Sequence, residues 1–279
     1  MDARGDDLGR SGPKPGGFVV TKQHKLLEEA CRDARRYRYV LLCVGDAGVG
    51  KTCSAKRLSS WHLVDPVSSR YAYILNPPPE VAHQRTAYWC APPACTPKMV
   101  SGEVERARNL LSWMVDLSEA PPEDEDAGRA KEHATDRTEL LIVDEAQFLK
   151  NAALEQLRYL YDRGDFGLVL MGMPGLDKIL ERYEQFHSRI GQVHPYRPLE
   201  EEAVWELLQT PSVLGTNLLV EAFPEECLAP IMTVTEGNFR KVVKLAQRIE
   251  RILEINGREA ANAAVVRKAA SQLRPPNDK

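Results

Sequence analysis

Two short stretches of this sequence combine residue types and spacing that suit phosphate chemistry. The first, Gly45–Thr52, reads GDAGVGKT and matches the pattern G-x-x-x-x-G-K-[ST] in full. In such a loop the glycines let backbone N–H groups surround a β-phosphate, and the following helix adds the partial positive charge of its N-terminus. Lys51 is then placed to bridge the β- and γ-phosphates, and the Thr52 hydroxyl to ligate Mg²⁺. The loop therefore predicts a site for ATP and Mg²⁺.

The second stretch is a pair of carboxylates, Asp144 and Glu145, which follows the apolar run Leu140–Val143. Ligands of open α/β sheets bind beyond the carboxyl ends of the strands. We expect Thr52 and Asp144 to hold the metal, and Glu145 to act with Lys51 in catalysis as the base that polarises the attacking water. The predicted cofactor-binding residues are Gly45, Asp46, Ala47, Gly48, Val49, Gly50, Lys51, Thr52, Cys53 and Asp144. Together the two stretches predict ATP hydrolysis.

The elements that must position these residues are short buried strands alternating with helices. Continuous apolar runs of strand length are typical of a parallel sheet covered on both faces. Predicted strands are Tyr39–Val44, Thr86–Trp89, Leu140–Val143 and Leu168–Gly172, and predicted helices are Lys22–Arg38, Lys51–Trp61, Pro97–Leu117 (with Thr96 as N-cap) and Ala152–Tyr161. This alternation predicts right-handed βαβ crossovers in a three-layer α/β/α sandwich.

The pattern changes after Pro198, where helical periodicity replaces strand-like runs. Predicted helices here are Leu199–Leu208, Arg240–Ile255 and Arg258–Leu273. We therefore predict a flexible arm at 1–17, an α/β nucleotide-binding domain at 18–198, a small helical domain at 199–273 and a short tail at 274–279.

Composition and charge narrow the range of partners. The net charge of −3 gives no general attraction to nucleic acid, so any such contact must come from a local basic patch. No run approaches the roughly 18 apolar residues of a membrane helix, and the N-terminal segment lacks the apolar core of a signal peptide. Cys90 and Cys95 have no second ligand pair, which argues against a zinc site. We expect a cytoplasmic protein without membrane contact.

With both motifs placed, the chain resembles the AAA+ ATPases that regulate DNA transposition, the TniB, TnsC and MuB kind. The first two of the segments that carry the resemblance are common to many ATPases, and their combination with the others is far narrower. These segments are RYRYVLLCVGDAGVGKT, LLIVDEAQFLK, LVLMGMPGL, SRIG at Ser188–Gly191 and GNFRKV at Gly237–Val242. The resemblance covers about Phe18 to Ile255, which is most of the chain.

The resemblance implies an AAA+ P-loop fold with a helical lid domain and an ATP-dependent function on DNA. Such proteins form homo-oligomers, rings or helical filaments, that coat double-stranded DNA, select a target site and stimulate a separate DDE transposase. It further implies that Arg189 reaches the γ-phosphate of a neighbouring subunit and that Arg240 is the sensor arginine of the lid. A permanently charged guanidinium supplied in trans makes hydrolysis depend on assembly.

The residues that the resemblance singles out also suit roles away from the nucleotide. Arg189 also suits a surface ion pair, with Arg182 or Arg197 in the trans role instead, and Arg240 suits the first turn of any helix. Gln147 is either a residue that couples the nucleotide state to DNA or partner contacts, or a solvated helix residue.

The sequence departs from the AAA+ pattern at one position. These ATPases place a polar sensor residue at the end of the strand that follows the Asp-Glu strand, whereas this chain has Met171-Gly172-Met173-Pro174. We therefore expect the attacking water to be weakly positioned and hydrolysis to be slow.

Contacts to DNA are weakly specified by the sequence. The candidate basic residues are Lys98, Lys150, Lys241, Lys244, Arg248 and Arg251. We expect sequence-tolerant backbone contacts near Lys98 and Lys150, because Glu250 and Glu254 make the lid helix typical of a solvated face. Two other functions stay open: a helicase-loader-like ATPase, which predicts a preference for single strands, and a nucleotide-switched interaction or signalling ATPase without a DNA role.

Overall fold

The computed structural model describes residues 17–65, 77–119, 135–218 and 220–273. The described chain forms two compact units, Lys22–Arg197 and a second that joins residues 17–21 to the residues from Pro198 onward. Residues 18–21, predicted as part of the α/β domain, thus cluster with the helical unit. The predicted tail and all but the last residue of the predicted arm lie outside the described residues.

A five-stranded parallel sheet forms the centre of the first unit. Its strands are β1 (Val40–Val44), β2 (Thr86–Cys90), β3 (Leu140–Asp144), β4 (Gly167–Gly172) and β5 (Ile190–Pro195). Their order is β2-β3-β4-β1-β5, so β4 separates β1 from β3. The phosphate loop follows β1 and the carboxylate pair ends β3, so both lie at the carboxyl edge of the sheet, on either side of the end of β4.

Helices flank this sheet, and their apolar faces complete its core. They are α1 (Lys22–Tyr37), α2 (Lys51–Leu58), α3 (Trp61–Val64), α4 (Pro97–Glu119), α5 (Asn151–Arg163), α6 (Leu176–Glu181) and α7 (Glu184–His187). At the start of α4 the Thr96 hydroxyl accepts a hydrogen bond from the backbone N–H of Met99, as expected of an N-cap. The predicted α/β fold with a parallel sheet is confirmed.

The first unit differs from the sequence prediction at strand β5, at the end of α2, and at the short helices α6 and α7, which were not predicted. Strand β5 was missed because it lies at the sheet edge against β1 alone, and Gly191, Gln192 and His194 interrupt any apolar run. The predicted helix Lys51–Trp61 ends at Leu58, because Ser60 takes a left-handed conformation with φ 45° and the chain restarts as α3.

The second unit is helical and has its own apolar core. Its helices are α8 (Glu201–Leu208), α9 (Pro211–Leu214), α10 (Leu228–Thr235), α11 (Phe239–Asn256) and α12 (Ala263–Leu273). The buried face of α11 is formed by Val242, Leu245, Ala246, Ile249, Ile252 and Leu253. The predicted helix from Arg258 begins only at Ala263, because Gly257 ends α11 with φ 59° and an irregular stretch follows. Across the described ranges, no helix is long and apolar enough to cross a membrane.

Candidate nucleotide-binding site

The phosphate loop connects β1 to α2 and turns through two left-handed glycines. Gly48 has φ 84° and Gly50 has φ 112°, conformations that glycine adopts without the steric cost of a Cβ atom. Gly50 directly precedes α2, so the loop ends at the N-terminus of a helix. The predicted site residues of the loop are thereby brought together, with Val49 and Lys51 buried and Asp46 and Cys53 exposed.

Tyr196 packs against the loop from the end of β5, although sequence reasoning did not identify it. Its backbone N–H donates to the carbonyl of Val44 at 2.7 Å, and its hydroxyl lies 2.7 Å from the Ser54 hydroxyl of α2. A Cβ atom at Gly45 would lie only 2.3 Å from the Tyr196 carbonyl oxygen. Tyr196 therefore makes glycine necessary at Gly45, and no signal in the sequence showed this because β5 was not predicted.

Replacing Gly45 by alanine is expected to destabilise the protein by about 1–3 kcal/mol and to weaken ATP binding. The clash is with a backbone carbonyl whose residue is tied to β1, so no side-chain rotation relieves it. Thermal unfolding and titration with a fluorescent ATP analogue measure both effects. Gly102→Ala is the matched control, because a Cβ atom there has nothing within 4 Å. Equal stability of the two variants contradicts the packing described for Tyr196.

Lys51 is buried at the start of α2 with its ammonium group turned to the loop. Its Nζ donates to the carbonyl oxygens of Gly45 at 2.6 Å and Asp46 at 2.9 Å. Burial lowers the pKa of Lys51, and nearby acidic groups, Asp144 and Glu145 among them, oppose this shift. Contacts to carbonyl oxygens hold the charged end in place inside the loop, where phosphate oxygens are expected.

Asp144 is buried at the end of β3 and joins the loop through Thr52. The Thr52 hydroxyl donates to Asp144 Oδ2 at 2.6 Å, the Tyr88 hydroxyl donates to the same oxygen at 3.1 Å, and the backbone N–H of Glu145 donates to Oδ1 at 2.9 Å. Burial, followed by the charge of Asp144, raises the pKa of Tyr88, which keeps its hydroxyl a donor. Tyr88 was assigned only to a strand from the sequence, because nothing in that strand marks its contact with a residue 56 positions away.

The oxygen atoms of Thr52 and Asp144 fit a magnesium ion. Mg²⁺ prefers carboxylate and hydroxyl oxygens. Asp144 is buried and accepts its hydrogen bonds from neutral donors, with Lys51 as a nearby positive charge. Mg²⁺ would add positive charge directly beside this carboxylate.

Glu145 follows β3 in a left-handed conformation with φ 54°, which is uncommon for a residue other than glycine. Such backbone conformations concentrate at functional sites, where the surrounding structure holds them. The carboxylate of Glu145 accepts a hydrogen bond from the side-chain amide of Gln147, in the short 3₁₀ turn Ala146–Phe148. Glu145 is thus half-buried beside Asp144 and fixed in direction.

Arg189 lies directly before β5 and is paired within its own chain. Its Nε and Nη2 donate to the two carboxylate oxygens of Asp162 in α5, at 2.5 and 2.8 Å. Hydrogen bonding from Arg189 lowers the pKa of Asp162, and Arg158 joins the same carboxylate at 2.7 Å. In the single chain Arg189 is therefore an ion-pair residue, so any role on a neighbouring subunit requires it to leave Asp162.

Arg240 belongs to the second unit and lies exposed in the first turn of α11. The side chain of Asn238 caps this helix by accepting from the backbone N–H of Lys241 at 3.2 Å. The side chains of Arg182 and Arg197, the other candidates for the trans role, are also exposed. The sensor role of Arg240 stays a prediction.

The candidate DNA-contacting residues fall into two groups. Lys98 and Lys150 are exposed at the starts of α4 and α5, and a parallel β-bridge between Cys95 and Leu149 places these helix starts side by side. The candidates in α11 are also exposed: Lys241 pairs with Glu236 at 3.0 Å, Arg251 pairs with Glu254 at 3.1 Å, and Arg248 donates to Gln272 at 2.5 Å. Lys244 lies exposed on the same helix. Lys98 and Lys150 are thus the two candidate lysines that lie on adjacent helix starts.

Comparisons with known proteins agree with this geometry. Residues 34–180 match the family described as "AAA domain". The chain is 30% identical over 273 residues to a Staphylococcus aureus protein described as "Potential ATP-binding protein", covering 93% of this chain and 97% of that one. A match of this length extends beyond residues 34–180 into the helical unit.

Solved structures share the fold at low identity. The Thermotoga maritima RuvB Holliday junction branch migration motor is 16% identical with a TM-score of 0.55, covering 90% of this chain and 68% of that chain. The Aeropyrum pernix ORC2 protein is 16% identical with a TM-score of 0.58, covering 97% and 72%. Domain III of the Thermotoga maritima replication initiation protein DnaA is 16% identical with a TM-score of 0.54, covering 94% and 100%. The transposition-regulator subgroup stays a prediction, and the chain belongs to the AAA domain family as an ATP-binding ATPase of the AAA+ type.

Proposed function

We propose that the protein hydrolyses ATP with Mg²⁺, as an ATPase that assembles on double-stranded DNA. The observation that best supports hydrolysis is the 2.6 Å hydrogen bond between Thr52 and Asp144. It joins the helix that begins at the phosphate loop to the end of β3, with Lys51 and Glu145 as the adjacent residues. Triphosphate binding, metal binding and a general base thus converge at one edge of the sheet.

In this proposal each site residue has a separate role in hydrolysis. The loop amides and Lys51 hold the phosphates, and Thr52 and Asp144 hold the metal, which when bound neutralises charge on the phosphate oxygens. Glu145 orients the attacking water and accepts its proton. Arg189 from a neighbouring subunit and Arg240 from the lid add positive charge, which makes turnover sensitive to assembly.

Removing the metal is expected to stop phosphate release, and removing one of its ligands is expected to weaken metal binding. Excess EDTA should abolish it, and Thr52→Ala should raise the Mg²⁺ concentration needed for half-maximal turnover by roughly 10–100-fold. Thr233→Ala removes an exposed hydroxyl hydrogen bond in the second unit and serves as the control. Turnover that persists in EDTA contradicts the magnesium assignment.

The DNA role rests on the sequence resemblance and on the placement of Lys98 and Lys150. Exposed lysines at two adjacent helix starts suit sequence-tolerant phosphate contacts, and an oligomer repeats that pair along a duplex. We further propose that the homo-oligomer, a ring or filament, selects target DNA and stimulates a DDE transposase. Two structural neighbours are a Holliday junction branch migration motor and a replication initiation protein, which is compatible with this role.

Fluorescence anisotropy of labelled duplex DNA tests this role with ATP, with ADP and without nucleotide. We expect tight, cooperative and sequence-indifferent binding with ATP only, lost in Lys51→Ala. Lys98→Ala and Lys150→Ala should each lower the salt-dependence slope by about one unit, whereas Lys178→Ala, an exposed lysine in α6, should leave it unchanged.

The other outcomes identify the alternatives. A preference for single strands supports the helicase-loader-like ATPase. Hydrolysis that is indifferent to any DNA supports a nucleotide-switched interaction protein, and it removes the transposition role.

A further inference from the structure

The end of β4 lies between the two halves of the nucleotide site but has no polar side chain. β4 pairs with β3 on one side and β1 on the other, and it ends at Gly172. The backbone N–H of Gly45, the first residue of the phosphate loop, donates to the Gly172 carbonyl at 3.2 Å. This strand end therefore touches the loop directly, although Met171, Gly172 and Met173 have no side-chain group that can orient water or a carboxylate.

The side chain of Gln147 fills the space above this strand end. Its Oε1 accepts from the backbone N–H of Met173 at 3.3 Å, and its Nε2 donates to the carboxylate of Glu145. A Cβ atom at Gly172 would lie 2.6 Å from Gln147 Oε1, so the amide has room only because this residue is glycine. The amide thus links Glu145 to β4, and β4 is linked in turn to the phosphate loop.

We propose that Gln147 is a positioning residue for Glu145, and that its amide takes the place of the polar sensor side chain missing from β4. The proposal rests on the proposed hydrolysis. An amide N–H suits this task because it stabilises a carboxylate by a charge-assisted hydrogen bond without supplying a counter-charge. It holds one carboxylate oxygen of Glu145 and leaves the other for the water. The apolar end of β4 does not by itself make turnover slow.

The first test separates turnover from binding. Gln147→Ala is expected to lower kcat by roughly 10–100-fold, the effect of one hydrogen bond to a charged group, and to leave the ATP dissociation constant within about twofold. Gln192→Ala removes another side-chain amide of the same unit, which accepts from Tyr39 at 2.8 Å, and is expected to keep wild-type kcat.

A second variant displaces the amide without removing it. In Gly172→Ala the new methyl group would lie 2.6 Å from Gln147 Oε1 and 2.7 Å from Cδ2 of the buried Leu176. We expect a kcat loss of the same size as in Gln147→Ala, with an unchanged ATP dissociation constant and a lower melting temperature because Leu176 must also shift. Gly102→Ala is the control, since its methyl group has open space.

The pH dependence distinguishes positioning from a purely structural contact. In Gln147→Glu the new carboxyl group can donate to Glu145 only when it is protonated, and in its ionised form it repels Glu145. The ratio of variant to wild-type kcat should therefore rise as pH falls from about 8 to about 6. The charged neighbours Lys51 and Asp144 are the same in both proteins, so the ratio isolates the new group.

The outcomes keep the two proposals apart. Wild-type kcat in Gln147→Ala, in a protein that Glu145→Gln inactivates, overturns the role of Gln147 alone. Parallel loss of kcat and ATP binding, or a pH-independent ratio for Gln147→Glu, also overturns it, because both indicate a structural contact. Absence of turnover in the wild type with Mg²⁺, ATP and DNA overturns the proposed hydrolysis and the role of Gln147 together.

Discussion

Glu145→Gln is expected to lower ATP turnover at least about 100-fold while ATP still binds. The substituted amide has the shape of the carboxylate but cannot accept the proton of the attacking water. Its carbonyl oxygen can still accept the hydrogen bond from Gln147, so the local structure should be retained. Phosphate release and titration with a fluorescent ATP analogue measure the two properties separately.

The proposed assembly adds a second expected result for this variant. If hydrolysis releases the oligomer from duplex DNA, Glu145→Gln should stay bound in ATP for longer than the wild type. Glu181→Gln, an exposed glutamate at the end of α6, is the matched control and should behave as the wild type. Undiminished turnover in Glu145→Gln removes Glu145 from the role of base.

Arg189→Ala is expected to lower DNA-stimulated turnover about 1,000-fold, the usual effect of losing an arginine that acts in trans. ATP binding should persist, because Arg189 pairs with Asp162 and makes no hydrogen bond to the phosphate loop of its own chain. Mixing this variant with Glu145→Gln, which is expected to bind ATP and to assemble, distinguishes trans from cis action. In an equimolar mixture about one interface in four combines an intact Glu145 with an intact Arg189, so about a quarter of wild-type turnover should return.

The ion pair with Asp162 supplies the control for this experiment. Asp162→Asn weakens the hold on Arg189 within the chain, so turnover should be retained or should rise at low protein concentration. Arg182→Ala removes an exposed arginine of the same unit and should have little effect. If Asp162→Asn is as inactive as Arg189→Ala, the pair is structural, and failure of the mixture to recover activity contradicts action in trans.

Sequence alone was sufficient for the features whose physical cause is local. The phosphate loop was predictable because its glycines, lysine and threonine act within eight consecutive residues, Gly45–Thr52, between an apolar strand and a helix. Strands β1, β3 and β4 were predictable because burial on both faces demands an unbroken apolar run. The N-cap at Thr96 is likewise a contact across three residues.

Tertiary structure alone decided which distant residues surround that local motif. Strand β5 has an exposed edge and so lacks the apolar run that would reveal it. For the same reason the contact of Tyr196 with the phosphate loop was not predicted. Tyr88 reaches Asp144 only because β2 and β3 are neighbours in the sheet. Gln147 contacts the end of β4 only because β4 lies beside β3 and ends in glycine. Such contacts depend on strand order and on space for a side chain, which the spacing of residues along the chain does not encode.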